Sequence, residues 1–261
     1  MIRRLLAQCA AAIFGAALLL VASAGLQAQP APAAPPAPRP PKEMAPLDLT
    51  GYWVSIVTED WRWRMVTPAK GDYTSVPLSP AGKKAADAWD PDKDIAAGNQ
   101  CKAYGAAAIM RVPGRVHITW TDDNTLKVET DAGTQTRTFH FNAKPPANEA
   151  ASWQGYSVAT WDGLRPPPRR GGGAPPPGGS LKVVTTHMKP GYLRKNGVPY
   201  SGDAVLTEYY DRTNEANGDS WLIVTTIVDD PTNLNTQFVT STHFKMEKDG
   251  SKWSPTACEA K

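Results

Sequence analysis

The sequence predicts an all-β protein: an antiparallel up-and-down meander that closes into a barrel of about 8–10 strands, with one or two short helices. Short runs rich in Thr, Val, Ile, Trp, Tyr and Phe recur from Gly51 onward, as pleated strands favour. Turn residues separate several of these runs, as at 122–124 and 131–133. No helical crossover of a dozen residues lies between the later runs, so a parallel sheet is not expected.

The strands follow from period-2 alternation between turn signals. In chain order they are predicted at 51–57, 61–66, 115–121, 125–130, 134–141, 156–161, 181–188, 204–211, 220–228 and 237–246. A meander of this length must close or split into two sheets to remove its edges. One helix is predicted from Pro80 to Trp89, because Ser79 can cap it and proline suits a first turn. A second short helical turn can begin at Asp90.

Composition and charge exclude several classes of protein. The chain has 261 residues, of which 41% are hydrophobic and 20% are charged, so it can form a packed core. The net charge of +3 falls to about +1 if Arg3 and Arg4 are removed with a signal segment. This balance gives no electrostatic reason to expect nucleic acid or an anionic membrane as a partner.

The N-terminus, residues 1–28, reads as a secretory signal. Basic residues precede an apolar run at 9–22, and small residues at 22–24 and 26–28 offer two cleavage sites. A transmembrane anchor is the alternative, but the run is shorter than the roughly 18–20 residues that span a bilayer. We therefore expect a periplasmic or secreted protein with no integral membrane segment after cleavage.

Cysteine usage agrees with export. Loss of Cys9 with the signal leaves Cys101 and Cys258, which in an oxidising compartment favours one disulfide. Two unpaired buried thiols are the alternative. Two cysteines without a histidine cluster do not form a zinc site.

Proline and glycine mark the domain boundaries. Residues 29–46 form a Pro/Ala-rich spacer that is expected to be extended. The remainder, 47–261, is predicted to be a single β-barrel domain. A Pro/Gly/Arg-rich tract at 165–180 carries no residue able to join a core, and we expect it to be a disordered loop.

The first strand opens with Gly51-Tyr52-Trp53. This Gly-x-Trp resembles the first-strand signature of lipocalin-like (calycin) barrels, in which the Trp closes one end. The resemblance implies an up-and-down barrel with an internal ligand cavity. No clear Thr-Asp-Tyr loop signature is present, and no closing arginine is evident near the last strand. A wider pattern resembles uncharacterised exported bacterial proteins, and it is carried by 78–82, 89–91, 101–102 and 110–114.

Four histidines lie inside predicted strands: His117, His140, His187 and His243. If their faces point into the barrel, they form a polar patch that supplies a general base or binds a metal. If the faces point outward, the histidines are ordinary surface residues, and a one-residue register change reverses the assignment. No metal-ligand spacing is present, so no metal site is predicted.

Aromatic and cationic residues alternate at 61–65. As a strand, this run places Arg62 and Arg64 on one face. Two guanidinium groups on one face could bind an anionic ligand such as a carboxylate. A solvated outer face is the alternative.

Glu208 lies in mid-strand beside tyrosines, where burial is costly unless the carboxylate is paired. It is therefore exposed, ion-paired or functional, and it is the carboxylate to test first as an acid–base partner of a histidine.

The connector at 189–200 has more aromatic and basic residues than a plain connection needs. Tyr192, Arg194 and Tyr200 could line a cavity mouth or form a lid. A packed surface loop is the alternative.

The leading hypothesis is an exported lipocalin-like protein that binds a small apolar or aromatic molecule in a barrel cavity. The alternatives are a His/Glu-dependent lyase, isomerase or hydrolase on a hydrophobic substrate, and an envelope interaction module. No nucleotide, dinucleotide or nucleophile motif is present, so no cofactor is predicted. The candidate ligand-binding residues are Arg62, Arg64, Tyr192, Arg194 and Tyr200.

Overall fold

A computed structural model of the protein describes residues 39–163 and 179–261. The predicted signal segment, the first part of the predicted spacer and nearly all of the predicted 165–180 loop lie outside the described residues. Within the described part of the chain, no helix is long and apolar enough to cross a membrane.

The described residues form eleven strands, four short α-helices and two 3₁₀ helices, at Gln100–Tyr104 and Ala132–Thr134. The strands are β1 Gly51–Ile56, β2 Arg115–Asp122, β3 Thr125–Thr130, β4 Gln135–Phe141, β5 Tyr156–Asp162, β6 Ser180–Thr186, β7 Gly191–Arg194, β8 Val198–Tyr200, β9 Val205–Asn214, β10 Ser220–Asp229 and β11 Phe238–Glu247. The helices are α1 Trp61–Arg64, α2 Pro80–Asp87, α3 Pro91–Ala96 and α4 Ala106–Ile109.

Nine strands close into a barrel in the order β1-β11-β10-β9-β6-β5-β4-β3-β2, which confirms the predicted fold class. All neighbours are antiparallel except β4 and β5, which pair in parallel over three residues. The sequence pattern predicted no parallel pair. The parallel pair arises because residues 142–155 run back along the barrel, so that β5 begins at the same end as β4. Strands β7 and β8 form a separate two-stranded sheet.

The predicted strand at 61–66 is wrong: residues 61–64 form the one-turn helix α1. Its backbone bonds are local, since the amides of Trp63 and Arg64 both donate to the carbonyl of Asp60. No neighbouring strand is needed to satisfy these groups, so the period-2 alternation of side chains does not decide the conformation here. The predicted helix is confirmed as α2, with Ser79 Oγ accepting from the Gly82 amide at 3.0 Å.

One end of the barrel is closed by the segment before β1. Trp53 is fully buried there, and its Nε1 donates to the Leu49 carbonyl at 2.9 Å. Arg212 of β9 stacks on the Trp53 ring at 5.6 Å and donates to the Asp48 carbonyl at 2.5 Å. A closing arginine is therefore present, but it lies on β9 rather than on the last strand. Trp161 Nε1 donates to the Pro41 carbonyl at 2.8 Å, so the last part of the predicted spacer packs on this end.

The opposite end of the barrel is covered by a cap built from the helices and the β7–β8 hairpin. Its apolar cluster is continuous with barrel residues such as Leu206, Val228 and Phe238. Asp230, just after β10, links the cap to the barrel through hydrogen bonds. Its carboxylate accepts from the Ser201 amide at 2.7 Å and from Asn233 Nδ2 at 2.9 Å.

A disulfide joins Cys101 to Cys258, as predicted. The two cysteines are 157 residues apart in the sequence, so the bridge holds the C-terminal tail against the cap. The Thr256 amide also donates to the Asp131 carbonyl at 2.9 Å.

The barrel lumen contains a buried ion pair. Arg137 of β4 donates to both carboxylate oxygens of Glu208 on β9, with Nη1–Oε1 at 2.9 Å and Nη2–Oε2 at 2.6 Å. Both side chains are fully buried. Tyr210 Oη donates to Glu208 at 3.1 Å, and Thr185 Oγ1 accepts from Arg137 at 3.3 Å. Glu208 is thus buried and paired, as the burial argument required.

We expect Arg137→Met to destabilise the fold strongly, because it leaves the Glu208 carboxylate buried without a partner. The free energy of unfolding, measured by urea denaturation, should fall by about 3–5 kcal/mol. The double variant Arg137→Met/Glu208→Leu should recover much of that loss, since it removes both charges. A double variant no more stable than Arg137→Met would contradict this account.

Asp230 gives a pH-dependent prediction. Burial raises the pKa of this carboxyl, but hydrogen bonds from Asn233 and Ser201 outweigh it and hold the pKa below the ordinary 3.8. A carboxylate with a lowered folded-state pKa stabilises the fold above its unfolded pKa, and this stability is lost as pH falls through the folded pKa. Asp230→Asn should therefore be less stable by about 1–3 kcal/mol at pH 7. The difference from wild type should shrink below about pH 3, as chemical denaturation at both pH values would show. An unchanged difference at low pH would exclude this role.

Candidate anion-binding cleft

A cleft of about 350 Å³ lies outside the barrel lumen, beside the cap. Its walls come from within four stretches of the chain, 63–67, 103–113, 193–195 and 256–259, together with Ala132. A cavity of this size is at the small end of the range for ligand pockets. Three arginines line it: Arg64, Arg111 and Arg194.

Arg64 is held rigidly at the end of α1. Its side chain is only 1% exposed and forms an ion pair with Glu59. Its Nε donates to the Arg111 carbonyl at 2.9 Å, and its Nη2 donates to Ser55 Oγ at 3.2 Å. These contacts fix the Arg64 guanidinium, and the bond to the Arg111 carbonyl also fixes the backbone at Arg111.

Arg111 lies just before β2 and is 5% exposed. Its Nη2 donates to Asp60 Oδ2 at 2.8 Å, and its guanidinium lies 5.7 Å from the Phe238 ring. Its Nη1 is buried and has no partner among the described residues.

Arg194 ends β7 and is 4% exposed. Its Nη1 donates to the Thr74 carbonyl at 2.7 Å, and its guanidinium stacks on the Trp63 ring at 4.8 Å. Its Nε and Nη2 are buried without a partner among the described residues. Within that part of the chain no carboxylate lies within ion-pair distance of Arg194, unlike Arg64 and Arg111.

The electrostatics of the cleft favour an anion. Burial lowers the pKa of Arg64, and the positive charge of Arg111 lowers it further, against the opposing effect of Glu59. Burial and the charge of Arg111 also lower the pKa of Arg194, to about 10, against the opposing effects of Asp60 and Asp72. Arg194 therefore remains protonated at neutral pH, and it lines the cleft together with two arginines whose ion-pair partners are Glu59 and Asp60.

Unpartnered donors are the clearest chemical feature of the site. Three guanidinium nitrogens on Arg111 and Arg194 have no hydrogen-bond acceptor among the described residues. A buried donor without an acceptor costs about 1–3 kcal/mol, and more when it is charged. These nitrogens are themselves shielded from solvent, so a carboxylate or phosphate oxygen in the cleft would form charge-assisted hydrogen bonds with them only after a small movement of the arginine side chains.

The rest of the cleft wall is a mixture of apolar and polar residues. Met65, Val66 and Leu193 line it, and so does the ring of Tyr104. Glu259 is the acidic side chain on the wall, 3.9 Å from Lys195 Nζ. The cleft therefore combines guanidinium groups with surface suited to a hydrocarbon or ring.

The structure brings together two of the five predicted ligand-binding residues, Arg64 and Arg194. Arg62 points away from the cleft: its side chain is 67% exposed and pairs with Asp72 at 3.1 Å. Arg62 and Arg64 do not share a face, because residues 61–64 form a helical turn and not a strand.

Tyr192 and Tyr200 are structural residues of the cap. Tyr192 Oη donates to Asp94 at 2.7 Å, and both burial and that carboxylate raise its pKa. Tyr200 is buried, and burial raises its pKa. Gly105 and Gly191 leave room for its hydroxyl, since a Cβ at either position would come within 2.6 Å of Oη.

The histidines do not meet in the lumen. His117, His140 and His243 alternate with buried strand residues and point outward. His187 lies beyond the end of β6 with φ 57°, so it does not share a face with Val183 and Thr185. The three strand histidines point outward because the residues next to them in each strand face the core, and successive side chains of a strand point to opposite faces.

Each histidine has its own separate partner. His117 stacks on Tyr52 at 4.0 Å and lies 3.3 Å from Glu129. His243 lies 3.1 Å from Glu59, and His187 contacts the hydroxyl of the preceding threonine at 2.8 Å. His140 stacks on Tyr156 at 4.8 Å. Glu208 is bound by Arg137 and does not meet a histidine. Within residues 39–163 and 179–261, no three His, Cys, Asp or Glu side chains form a group able to hold a metal ion.

Arg111 is the cleft residue that the sequence analysis missed. It follows the apolar run at 106–110 and precedes Val112. An isolated charge inside an apolar run is a signal for a buried, paired or functional group. That signal was available in the sequence.

No protein-family model, curated protein or solved structure matches this chain. The cleft therefore has to be interpreted from its own geometry.

The disulfide holds one wall of this cleft, because Thr256, Ala257 and Glu259 belong to the tail that Cys258 anchors. We expect Cys101→Ser/Cys258→Ser to lower the free energy of unfolding by about 2–5 kcal/mol. Proteolysis of the folded variant should cut first after residue 250, where the tail is released. Equal resistance of tail and barrel would show that other contacts suffice.

Proposed function

We propose that this protein is an exported binding protein that holds a small organic anion in the arginine cleft. The observation that carries the proposal is the set of unpartnered guanidinium nitrogens on Arg111 and Arg194. Two buried arginines with spare donors, lining one cavity, are suited to bidentate recognition of a carboxylate.

The carboxylates around the cleft support this proposal. Glu59 and Asp60 each bind a neighbouring guanidinium from the side, and so hold Arg64 and Arg111 in position. Arg194 has no carboxylate within ion-pair distance among the described residues, although Asp60 and Asp72 lie near enough to act on its charge. A site arranged in advance spends little of its binding energy on ordering side chains.

The predicted location, periplasmic or secreted, belongs to this proposal. The Cys101–Cys258 disulfide supports it, because such bridges persist mainly in oxidising compartments. The closed barrel is compatible with a lipocalin-like protein, and membership of that family remains part of the proposal.

An apolar or aromatic ligand in the lumen stays a prediction. The inward side chains of Phe139, Tyr210 and Phe244 are at most 1% exposed and belong to one packed cluster. The cleft, in contrast, is open to a ligand from outside. We therefore place the small-molecule partner in the cleft.

The proposal is tested with benzoate and its neutral match benzamide, by calorimetry and by thermal unfolding. Wild-type protein should bind benzoate and show a raised Tm, while benzamide should bind far more weakly. Arg194→Met should weaken benzoate binding by about 10–100-fold, because it removes charged hydrogen bonds. Circular dichroism would establish that this variant is folded.

Arg62→Met is the matched control, since it removes an exposed arginine outside the cleft. It should leave benzoate affinity unchanged. Equal binding of benzoate and benzamide, or full affinity in folded Arg194→Met, would refute the proposal. Equal binding would instead favour the apolar lumen site.

A further inference from the structure

An exposed apolar strip leads out of the cleft. Trp61, Met65 and Val66 are 65%, 59% and 70% exposed. Met65 and Val66 also line the cleft, so the strip is continuous with the arginine site. Single exposed apolar residues are ordinary, but three within six positions beside a charged cavity indicate a contact surface.

Polar anchors hold this strip outward. Trp63 Nε1 donates to Asp72 Oδ2 at 3.2 Å, and this bond holds the Trp63 ring against the protein. Asn196 Nδ2 donates to the carbonyls of Ala69 and Asp72 at 3.1 and 3.0 Å and fixes the following loop. Trp61, Met65 and Val66 are thus left facing solvent while their own segment is tied to the cap.

The cationic and apolar residues occupy different parts of the site. Arg111 and Arg194 are buried residues that line the recess, and Met65 and Val66 are exposed residues that line it. A ligand that satisfies both has an anionic group at one end and a hydrocarbon chain that runs out over the exposed apolar residues. The small volume of the recess, about 350 Å³, suits the head and the first part of such a chain.

We propose that the ligand is a single-chain anionic amphiphile, with its carboxylate at Arg111 and Arg194 and its chain over Met65, Val66 and Trp61. This deepens the proposed function and rests on it. A bilayer surface fits less well, because α1 is a single turn of four residues and is too short to form an interfacial amphipathic helix.

The test is a chain-length series of straight-chain carboxylates, from butanoate to decanoate, kept below micelle-forming concentrations. In wild-type protein, affinity should rise by about two- to four-fold per methylene, since each buried CH₂ contributes up to about 0.8 kcal/mol. In Trp61→Ser/Met65→Ser/Val66→Ser, this gain per methylene should fall close to one-fold.

Two matched variants separate the contributions. Ile95→Ser/Val239→Ser removes exposed apolar side chains elsewhere, 49% and 56% exposed, and should keep the wild-type chain-length gain. Arg194→Met should weaken every chain length by a similar factor and keep the gain per methylene. Together these variants assign head and tail to different residues.

Several results would overturn the inference. Affinity independent of chain length, with butanoate still bound, would refute the amphiphile and leave the anion site standing. No binding of any carboxylate would refute both. Binding to anionic vesicles but not to monomeric decanoate would assign the strip to a membrane, and a dimer abolished by the triple variant would assign it to a second copy.

Discussion

The buried pair of Arg137 and Glu208 links, from inside the barrel, strands that lie on either side of its shortest ladder. The parallel ladder between β4 and β5 has three residue pairs, whereas the ladder between β9 and β10 has ten. Arg137 on β4 reaches across the lumen to Glu208 on β9 and to Thr185 on β6, and Thr185 contacts Ser157 on β5 at 2.7 Å. This network joins the strands on both sides of the weak seam from the inside, where water does not compete.

Closure of the barrel also places the cleft. Strand β1 ends, and β2 and β9 begin, at the same end of the barrel, because neighbouring strands alternate in direction. The segments 57–114 and 187–204 must therefore both lie at that end, where they form the cap. Arg64 and Arg111 belong to the first segment and Arg194 to the second. Residues distant in the sequence thus meet in one recess, and the disulfide adds the C-terminal tail as a further wall.

The strands that form the barrel could be predicted because their period-2 pattern coincides with real burial, as in β3 and β10. The burial argument gave an ion pair as one of three alternatives for Glu208, beside exposure and function, and the structure shows the ion pair. The orientation of the histidines could not be predicted, since alternation defines two faces without saying which is inward. The strand predicted at 61–66 was wrong for a related reason. Trp and Arg alternate there, but the backbone amides of this segment donate to the nearby carbonyl of Asp60 and form a helical turn. Arg64 and Arg194 were identified individually, while their meeting with Arg111 depends on tertiary structure.

The three arginines of the cleft differ in the contacts that compensate their charges. Arg64 and Arg111 are each held by a carboxylate, although burial still lowers the pKa of Arg64. Arg194 is buried against a carbonyl and an aromatic ring, and burial together with the charge of Arg111 lowers its pKa although Asp60 and Asp72 oppose the shift. Under the proposed function, an anion in the recess would give Arg194 the close ion pair that the described residues do not supply, while Glu59 and Asp60 keep the other two arginines in position.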